Sequence, residues 1–272
     1  MPRRTRRNEI TPKTVSKEIR QLGMKEMADL FDAMAESGEL ADQSALQVVD
    51  QLISCQLIGN GNRTADRYKK AAKLFFPSAD FNNLLYLPQR HLNIPLIDQL
   101  KTCEFIDSEL NIMIQSATGG GKTFLACAYG NEACEHGYTV RYFIMPDLMS
   151  TYHNQESKGK GEKFLRKLVN TNLVIIDDFM LTRITSEDAD FLYRLISSKP
   201  RSSIHRSFLI CSQLMPEEMY NRLSQAGGAI ADTIMNRLTA KAYTITLEGD
   251  SMRNIDIAAA LAQQQASRSN TQ

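Results

Sequence analysis

The sequence predicts an α/β fold, a parallel sheet flanked by helices and preceded by a small domain made only of helices. Four observations lead to this prediction. Short apolar runs alternate with helical stretches from residue 111 onward, and the first of these runs opens into a glycine-rich turn. A later apolar run ends in two aspartates, whereas the first 80 residues show helical spacing only. Alternating strands and helices favour a parallel sheet with helical crossovers.

Five segments have the composition of buried strands. The run LVIIDD at 173–178 is continuously apolar until its last two residues, as expected of a strand covered on both faces. Each of the five is preceded or followed by a helical stretch, which indicates parallel pairing. The predicted strands are 111–115, 139–144, 173–178, 207–212 and 242–247.

The N-terminal region reads as helices separated by a turn. Apolar residues recur at helical spacing from Met27 to Met34 and again from Val49 to Leu57. The Gly-Asn-Gly-Asn sequence at 59–62 predicts a turn after the second set. Prolines then punctuate the region that follows. We predict four segments, namely a helical DNA- or partner-binding domain at 1–80, a linker at 81–109, an α/β domain at 110–262 and a disordered tail at 263–272.

Composition narrows the class of protein. The 272 residues are 43% hydrophobic, enough for a domain of about 190 residues and a smaller one. A net charge of +1 gives no overall field toward nucleic acid, so DNA binding must come from local clusters or from several subunits together. The five cysteines lack metal or redox spacing, and no apolar stretch could cross a membrane. We therefore expect reduced thiols and a cytoplasmic protein without a membrane partner.

The turn after the first strand predicts a phosphate-binding loop. The sequence NIMIQSATGGGKT at 111–123 approaches the pattern G-x-x-x-x-G-K-[ST], with Ser116 in place of the first glycine. Glycines let backbone N–H groups turn toward phosphates, Lys122 would reach the β and γ phosphates, and Thr123 would complete a Mg²⁺ shell. The expected cofactors are ATP and Mg²⁺. The residues predicted to bind them are Ser116, Ala117, Thr118, Gly119, Gly120, Gly121, Lys122, Thr123 and Phe124.

The two aspartates at the end of the third strand complete the predicted site. Asp177 would hold Mg²⁺, directly or through water, and Asp178 would polarise the attacking water as a general base. A buried strand ending in two solvated aspartates is the simpler interpretation of LVIIDD alone. The phosphate-binding loop earlier in the chain argues against it, because two unrelated coincidences would then be needed.

Several of these segments occur together in one known family. The run SATGGGKTFLACAYGNEACEHGYTVRYFIMPDL, then LVIIDDF, CSQLMPEEMY, IADTIMNRL and LEGDSMR resemble, in this order, the IstB-like transposition helper ATPases. These are AAA+ proteins related to DnaC-type helicase loaders, and the resemblance covers nearly the whole chain. It implies a three-layer AAA+ ATPase domain, assembly of a homo-oligomer on DNA and a transposase as partner.

The resemblance also assigns roles that spacing alone does not. Ser212 and Gln213 resemble sensor I, which positions the attacking water or the γ-phosphate. Arg237 resembles an arginine finger acting on a neighbouring subunit, and Arg253 resembles sensor II. Arg222 shares the NRL triplet but matches less well. Without the family these would be a polar strand end and exposed arginines. Asp178 is one methylene shorter than the usual glutamate, so hydrolysis is expected to be slow. We also expect this hydrolysis to depend on Mg²⁺ and to be stimulated by DNA.

Basic clusters are the candidates for DNA contact. One is the N-terminal arm with Arg3, Arg4, Arg6 and Arg7. The other two lie within residues 63–73 and 158–167. A run of charge is equally compatible with a solvated face. No base-reading module is present, so we expect sequence-nonspecific contact with the backbone of double-stranded DNA. The predicted DNA-binding residues are Arg63, Arg67, Lys69, Lys70, Lys73, Lys158, Lys160 and Lys163.

Together, these features predict an ATP-dependent AAA+ protein that assembles on target DNA and recruits or activates a transposase. We expect it to be a cytoplasmic, nucleoid-associated protein of a bacterium. A replicative helicase loader would carry nearly the same ATPase site and differ in its partner. An ATP-gated DNA scaffold with negligible hydrolysis is the other alternative, since Ser116 and Asp178 depart from the usual pattern.

Overall fold

The protein divides into two compact units. The computed structural model describes residues 10–249 together with 251, 252, 256, 260 and 264. The units are Met1–Asp66 and Arg67–Gln272. This division falls earlier than the boundary near residue 80 expected from the sequence.

The described part of the first unit is helical, as predicted. It contains α1 (Pro12–Gln21), α2 (Lys25–Ser37), α3 (Glu39–Asp42) and the beginning of α4 (Ala45–Ala72). Helix α1 begins with a capping box, in which the side chain of Thr11 accepts a hydrogen bond from the Thr14 N–H. Arg20 then reaches across to α2, with guanidinium nitrogens 2.6 Å from Asp29 and 2.7 Å from Asp32. These contacts fix the pairing of the first two helices.

The prediction of a turn at 59–62 is wrong, because α4 continues without a break from Ala45 to Ala72. Gly59 serves packing instead. A Cβ at this position would lie 2.5 Å from Cγ of Glu26, so a larger residue would displace the Glu26 side chain. The contact is reinforced by Arg63, whose guanidinium lies 3.1 Å from the Glu26 carboxylate.

The second unit alternates strands and helices. After two short 3-10 turns at Phe81–Asn83 and Pro88–Arg90, its elements are α5 (Ile94–Lys101), α6 (Glu104–Asp107), β1 (Asn111–Gln115), α7 (Lys122–Glu135), β2 (Val140–Ile144), α8 (Met145–Glu156), α9 (Gly161–Val169), β3 (Leu173–Asp177), α10 (Ser186–Ser197), β4 (Ser207–Ser212), α11 (Pro216–Gly227), α12 (Ile230–Thr239) and β5 (Ala242–Thr246).

The five strands form one parallel sheet in the order β2-β3-β4-β1-β5. All five predicted strands are confirmed, with differences of one residue at some ends. Strand β4 lies between β1 and β3, so the segments that follow these three strands meet at one edge of the sheet. In a parallel sheet this carboxyl-end edge is where ligands bind.

Two apolar layers cover the sheet, which makes the unit a three-layer α/β structure. Side chains from alternate positions of each strand face opposite layers. Ile112 and Ile175 belong to the cluster that includes Leu125 and Tyr129 of α7. Met113 and Ile176 belong to the cluster formed with α8, α10 and α12. Because both faces are buried, the strands are apolar almost throughout, as the sequence indicated.

The segment predicted as a linker, 81–109, is folded into this unit. Phe81, Ile97 and Ile106 are buried in the same cluster as α7. Its prolines begin elements rather than interrupt them, since Pro88 starts a 3-10 turn and Pro95 stands in the first turn of α5. The segment therefore contributes core contacts directly beneath the phosphate-binding loop.

The remaining sequence expectations concern the tail and the thiols. Of residues 263–272, only Gln264 is described, and its side chain bonds to the backbone of Leu84 and Tyr86. All five cysteines are free, and four of them are buried. Within the residues described, no helix is both long and apolar enough to span a membrane.

Candidate nucleotide-binding site

The turn between β1 and α7 has the backbone of a phosphate-binding loop. Gly119 has φ 80° and Gly121 has φ 88°, a region that residues with side chains rarely adopt. A Cβ on Gly120 would lie 1.9 Å from Oγ of Ser116, so a side chain at this position would clash with Ser116. The Ser116 hydroxyl donates to the Ala117 carbonyl at 2.8 Å and is accommodated inside the turn.

Lys122 points into this loop. The side chain is 5% exposed, and its Nζ donates to the carbonyl oxygens of Ser116 at 2.8 Å and Ala117 at 3.0 Å. Burial lowers the pKa of Lys122 from its ordinary value, because the ammonium has lost most of its water. A desolvated ammonium held only by neutral carbonyls is suited to bind a phosphate, whose charged oxygens are stronger acceptors.

The loop is joined to the third strand through a carboxylate. Thr123 Oγ1 donates to Oδ2 of Asp177 at 2.7 Å, and the hydroxyl of Tyr142 donates to the same oxygen at 2.9 Å. The other oxygen accepts from the Asp178 N–H at 2.8 Å. Asp177 is 2% exposed, and these three donors compensate its desolvation. Tyr142, on β2, was missed by sequence reasoning, because nothing in VRYFI marks it as more than a buried strand residue.

Asp178 and Gln213 form the other half of this edge. Asp178 has φ 51°, which turns its side chain out of the strand direction. Burial, and then the charge of Asp177, raise the pKa of Asp178, while a hydrogen bond from Gln213 lowers it. Gln213 also accepts a hydrogen bond from Oγ1 of Thr118 at 2.6 Å. Gln213 thus bridges the phosphate-binding loop and the carboxylates, as its position after the central strand β4 requires.

The residues present fit a magnesium ion. The Thr123 hydroxyl and the Asp177 carboxylate are adjacent hard oxygen donors, which Mg²⁺ prefers, together with water and substrate phosphates. Among the described residues no cluster of three or more His, Cys, Asp or Glu side chains could enclose a metal. This donor set resembles the partial shells of phosphate-transfer sites, where one or two protein ligands suffice.

These side chains line a cavity of about 620 Å³, within the size range of small-molecule sites. Its polar lining residues include Lys122, Thr123, Asp177, Asp178 and Gln213. Its apolar lining residues include Phe75, Phe76, Leu84, Leu85, Phe124 and Ile144. Charged and apolar side chains in one cavity would match the phosphate tail and the flat ring of a nucleotide.

Arg90 is a second residue that the sequence did not reveal. It lines the cavity, is 3% exposed, and bridges two segments, with Nη2 donating to Gly120 O at 2.8 Å and Nη1 to Leu85 O at 2.9 Å. Its Nε has no hydrogen-bond partner among the described residues. Burial lowers the pKa of Arg90 from its ordinary value. Arg90 therefore ties the phosphate-binding loop to the segment that contributes Leu84 and Leu85 to the cavity lining.

Arg90→Met is expected to lower both stability and nucleotide affinity. The change removes two hydrogen bonds from a charged donor, at a cost of about 2–3 kcal/mol, and releases Gly120 from the 85–90 segment. Roughly tenfold weaker binding of an ATP analogue would follow from the looser loop. Arg206→Met is the matched control, because half-buried Arg206 donates to the carbonyls of Ile196 and Ser198 outside the cavity. Thermal melts and titrations should separate the two, and equal affinities would contradict this role.

The other predicted site residues occupy different surroundings. Ser212 is buried, and its hydroxyl donates to Phe179 O at 2.8 Å, so it supports the turn after β3. Arg222 donates to the carbonyls of Met180 and Leu181 in the same turn. Arg237 is exposed on α12 and does not line the cavity. Arg253 lies outside the described residues, although Met252 lines the cavity and its N–H donates to Gly119 O.

The predicted DNA-binding residues fall on three surfaces. Arg63 pairs with Glu26 in the first unit, and Lys69 pairs with Glu135 in the second. Arg67, Lys70 and Lys73 are exposed near the end of α4. Lys158, Lys160 and Lys163 are exposed at the junction of α8 and α9. Their assignment to DNA stays a prediction.

The protein has a parallel sheet between two helical layers, and a glycine-rich loop, a buried lysine and paired aspartates meet at one edge of that sheet. These features define a P-loop nucleotide-binding protein. The chain belongs to the family described as IstB-like ATP binding protein, whose sequence profile matches residues 17–260. A putative insertion sequence ATP-binding protein of Sinorhizobium fredii is 27% identical over 87% of this chain and 93% of its own length. The corresponding protein of the insertion sequence IS5376 from Geobacillus stearothermophilus is 25% identical over 86% and 90%.

Solved structures support the AAA+ fold. AMPPCP-bound DnaA from Aquifex aeolicus superposes with a TM-score of 0.53 at 21% identity, over 65% of this chain and 52% of the DnaA chain. Domain III of Thermotoga maritima DnaA gives a TM-score of 0.52 at 20% identity, over 70% and 75%. The chain spans about half the length of the Aquifex protein, and the likeness concerns the fold alone.

Proposed function

We propose that the protein is an ATP-dependent, sequence-nonspecific DNA-binding ATPase that assembles on target DNA and recruits or activates a transposase. The observation that carries this proposal is the hydrogen-bonded link from Thr123 to Asp177, which joins the phosphate-binding loop to the carboxylate pair. Membership in the IstB-like family and relatives named as insertion sequence ATP-binding proteins support the biological setting.

In the proposed site, Lys122 and the backbone of residues 116–123 hold the triphosphate, with Phe124 beside it. Thr123 and Asp177 would hold Mg²⁺, which neutralises phosphate charge when bound. The apolar side chains of the cavity lining would contact the base. Tyr142 and Arg90 orient this machinery through Asp177 and Gly120. Arg253 is assigned to the γ-phosphate by family resemblance alone.

Hydrolysis would use Asp178 as the general base. Water oxygen forms a bond to the γ-phosphorus, the water proton passes to the Asp178 carboxylate, and ADP leaves with the electrons of the broken P–O bond. The raised pKa of Asp178 favours proton uptake. Gln213 touches both Asp178 and Thr118 and is positioned to orient the water.

Arg237 is proposed to act on the nucleotide of a neighbouring subunit. It is exposed, it does not line its own cavity, and it has no ion pair in the described part of the chain. We expect Arg237→Ala and Lys122→Ala each to be inactive alone. Mixing them should recover turnover roughly tenfold above either variant, because one interface combines an intact loop with an intact arginine. Phosphate release measures this, and no recovery would contradict action between subunits.

The proposed function is tested by assembly on DNA. Wild-type protein should form large complexes on a random-sequence duplex with ATP and not with ADP or without nucleotide, and these complexes should retain a purified insertion-sequence transposase. DNA binding that ignores nucleotide would refute the proposal. ATP-dependent assembly without phosphate release would favour a scaffold, and capture of a replicative helicase in place of the transposase would favour a loader.

A further inference from the structure

A second cleft lies at the opposite edge of the sheet from the nucleotide cavity. It has a volume of about 300 Å³ and is formed where β2 and β3 begin, beside the last turns of α4. Its charged lining residues are Arg67, Arg141 and Lys167, and Asn170 and Thr171 complete one wall. Three cations from three separate elements therefore converge on one depression.

The positive charge of this cleft is not neutralised within the described chain. Among the described residues, Arg67, Arg141 and Lys167 form no ion pair, and Glu135 on the neighbouring α7 is engaged with Lys69. The charge of Arg141, then burial, and then the charges of Lys73 and Lys163 lower the pKa of Lys167. Three cations thus repel Lys167 here, and a bound anion would relieve that repulsion.

The central cation is held in place before any ligand arrives. Arg141 is half-buried, and its Nη1 donates to the carbonyl of Ala71 near the end of α4. The Arg67 guanidinium lies 5.3 Å from the ring centroid of Tyr68. Guanidinium groups fixed in this way lose little conformational entropy on binding, and their planar donors suit phosphate oxygens.

We propose that this cleft, lined by Arg67, Arg141 and Lys167, binds a backbone phosphate of duplex DNA. The charges of Lys73, just after α4, and of Lys163 on α9 also act on Lys167. Positive charge therefore extends beyond the cleft lining, which suits a repeating polyanion better than a single small anion. Polar and charged side chains without a base-reading element give contact with the backbone alone. The proposal rests on the proposed function in one respect, that the protein binds DNA.

The cleft joins two basic segments that are far apart in the sequence. Arg67 comes from the segment 63–73 and Lys167 from 158–167, while Arg141 belongs to neither. Strand β2 carries Arg141 at the cleft and Tyr142 and Ile144 at the nucleotide cavity. Strand β3 begins beside the cleft and ends at Asp177. DNA in the cleft would therefore touch β2, a strand that also lines the nucleotide cavity.

The test is a charge reversal of the two exposed cations, Arg67→Glu/Lys167→Glu. The matched control is Arg183→Glu/Lys241→Glu, which changes net charge equally at exposed positions outside both cavities. Binding of a fluorescent random-sequence duplex is measured in ATP across a salt series. The cleft variant should lose affinity on the order of tenfold or more, with a salt slope smaller by about 2 per protomer. Its affinity for an ATP analogue should be unchanged.

The outcomes separate this inference from the proposed function. If the cleft variant matches the control in DNA affinity and salt slope while wild type binds DNA, the cleft is not a DNA site and the proposed function survives. The same conclusion follows if the cleft variant binds DNA normally and fails only to bind the transposase, since the cleft would then contact an acidic protein surface. If wild type itself fails to bind DNA, both are refuted. A circular dichroism melt of each variant verifies folding.

Discussion

Lys122→Ala is expected to weaken ATP binding by roughly a hundredfold and thereby to abolish ATP-dependent assembly on DNA. The ammonium is the buried cation placed inside the phosphate-binding loop, where it is held by two carbonyls of the same turn. Losing a charge-assisted contact of about 3 kcal/mol weakens binding by roughly a hundredfold. Titration with a fluorescent ATP analogue and light scattering on duplex DNA measure the two effects.

The appropriate control is another lysine of the same unit. Lys101 pairs with Asp98 on α5 and does not line the cavity, so Lys101→Ala should bind ATP and assemble as wild type does. Circular dichroism should show that Lys122→Ala remains folded, because removing a desolvated ammonium also removes its burial cost. Normal ATP-dependent assembly by folded Lys122→Ala would contradict the proposed role of the loop.

Asp178→Asn is expected to separate assembly from turnover. Asparagine has nearly the same shape and keeps a contact with Gln213, but it cannot accept the water proton. ATP binding should persist, assembled complexes should become long-lived, and phosphate release should fall by about a hundredfold or more. Single-turnover phosphate release and dissociation of complexes from DNA provide the measurements. Wild-type turnover in this variant would show that Asp178 is not the base.

The same variant carries a stability signature with a defined sign. Burial and Asp177 raise the pKa of Asp178, so the folded state holds this proton more tightly than the unfolded state does. Stability is therefore lost as pH rises from the ordinary aspartate value, 3.8, through the raised pKa, and it stays lower above it. Asparagine also tolerates the φ of 51°. We expect its Tm to exceed wild type by about 2 °C at pH 7 and the difference to shrink near pH 4.

The sheet and the charged end of the site could be predicted because their signals are local. Five apolar runs marked the strands, and the glycines with Lys122 and Thr123 marked the loop. The pairing of Asp177 with Thr123 followed from the rule that parallel strands end at one edge. Gln213 could be assigned only through family resemblance, yet its bridging position is explained by the central place of β4.

What the sequence did not reveal depends on contacts between distant segments. Arg90 matters because its guanidinium reaches Gly120, 30 residues away, and nothing in the local sequence PQRH indicates this contact. Tyr142 is ordinary until β2 pairs with β3 and brings its hydroxyl to Asp177. Gly59 was predicted to lie in a turn, but it lies inside α4 against the Glu26 side chain. Glycine occurs both in turns and at close contacts within helices, and the sequence alone does not distinguish these two uses.

The central claim is that residues 116–123 bind ATP and that this binding controls assembly on DNA. Its most direct test is isothermal calorimetry of wild-type protein and Lys122→Ala with millimolar ATP and Mg²⁺, with and without duplex DNA. We predict saturable binding of one ATP per chain in the wild type, tighter when DNA is present, and binding roughly a hundredfold weaker in the variant. Absence of heat in the wild type, or identical isotherms for the two proteins, would contradict the account.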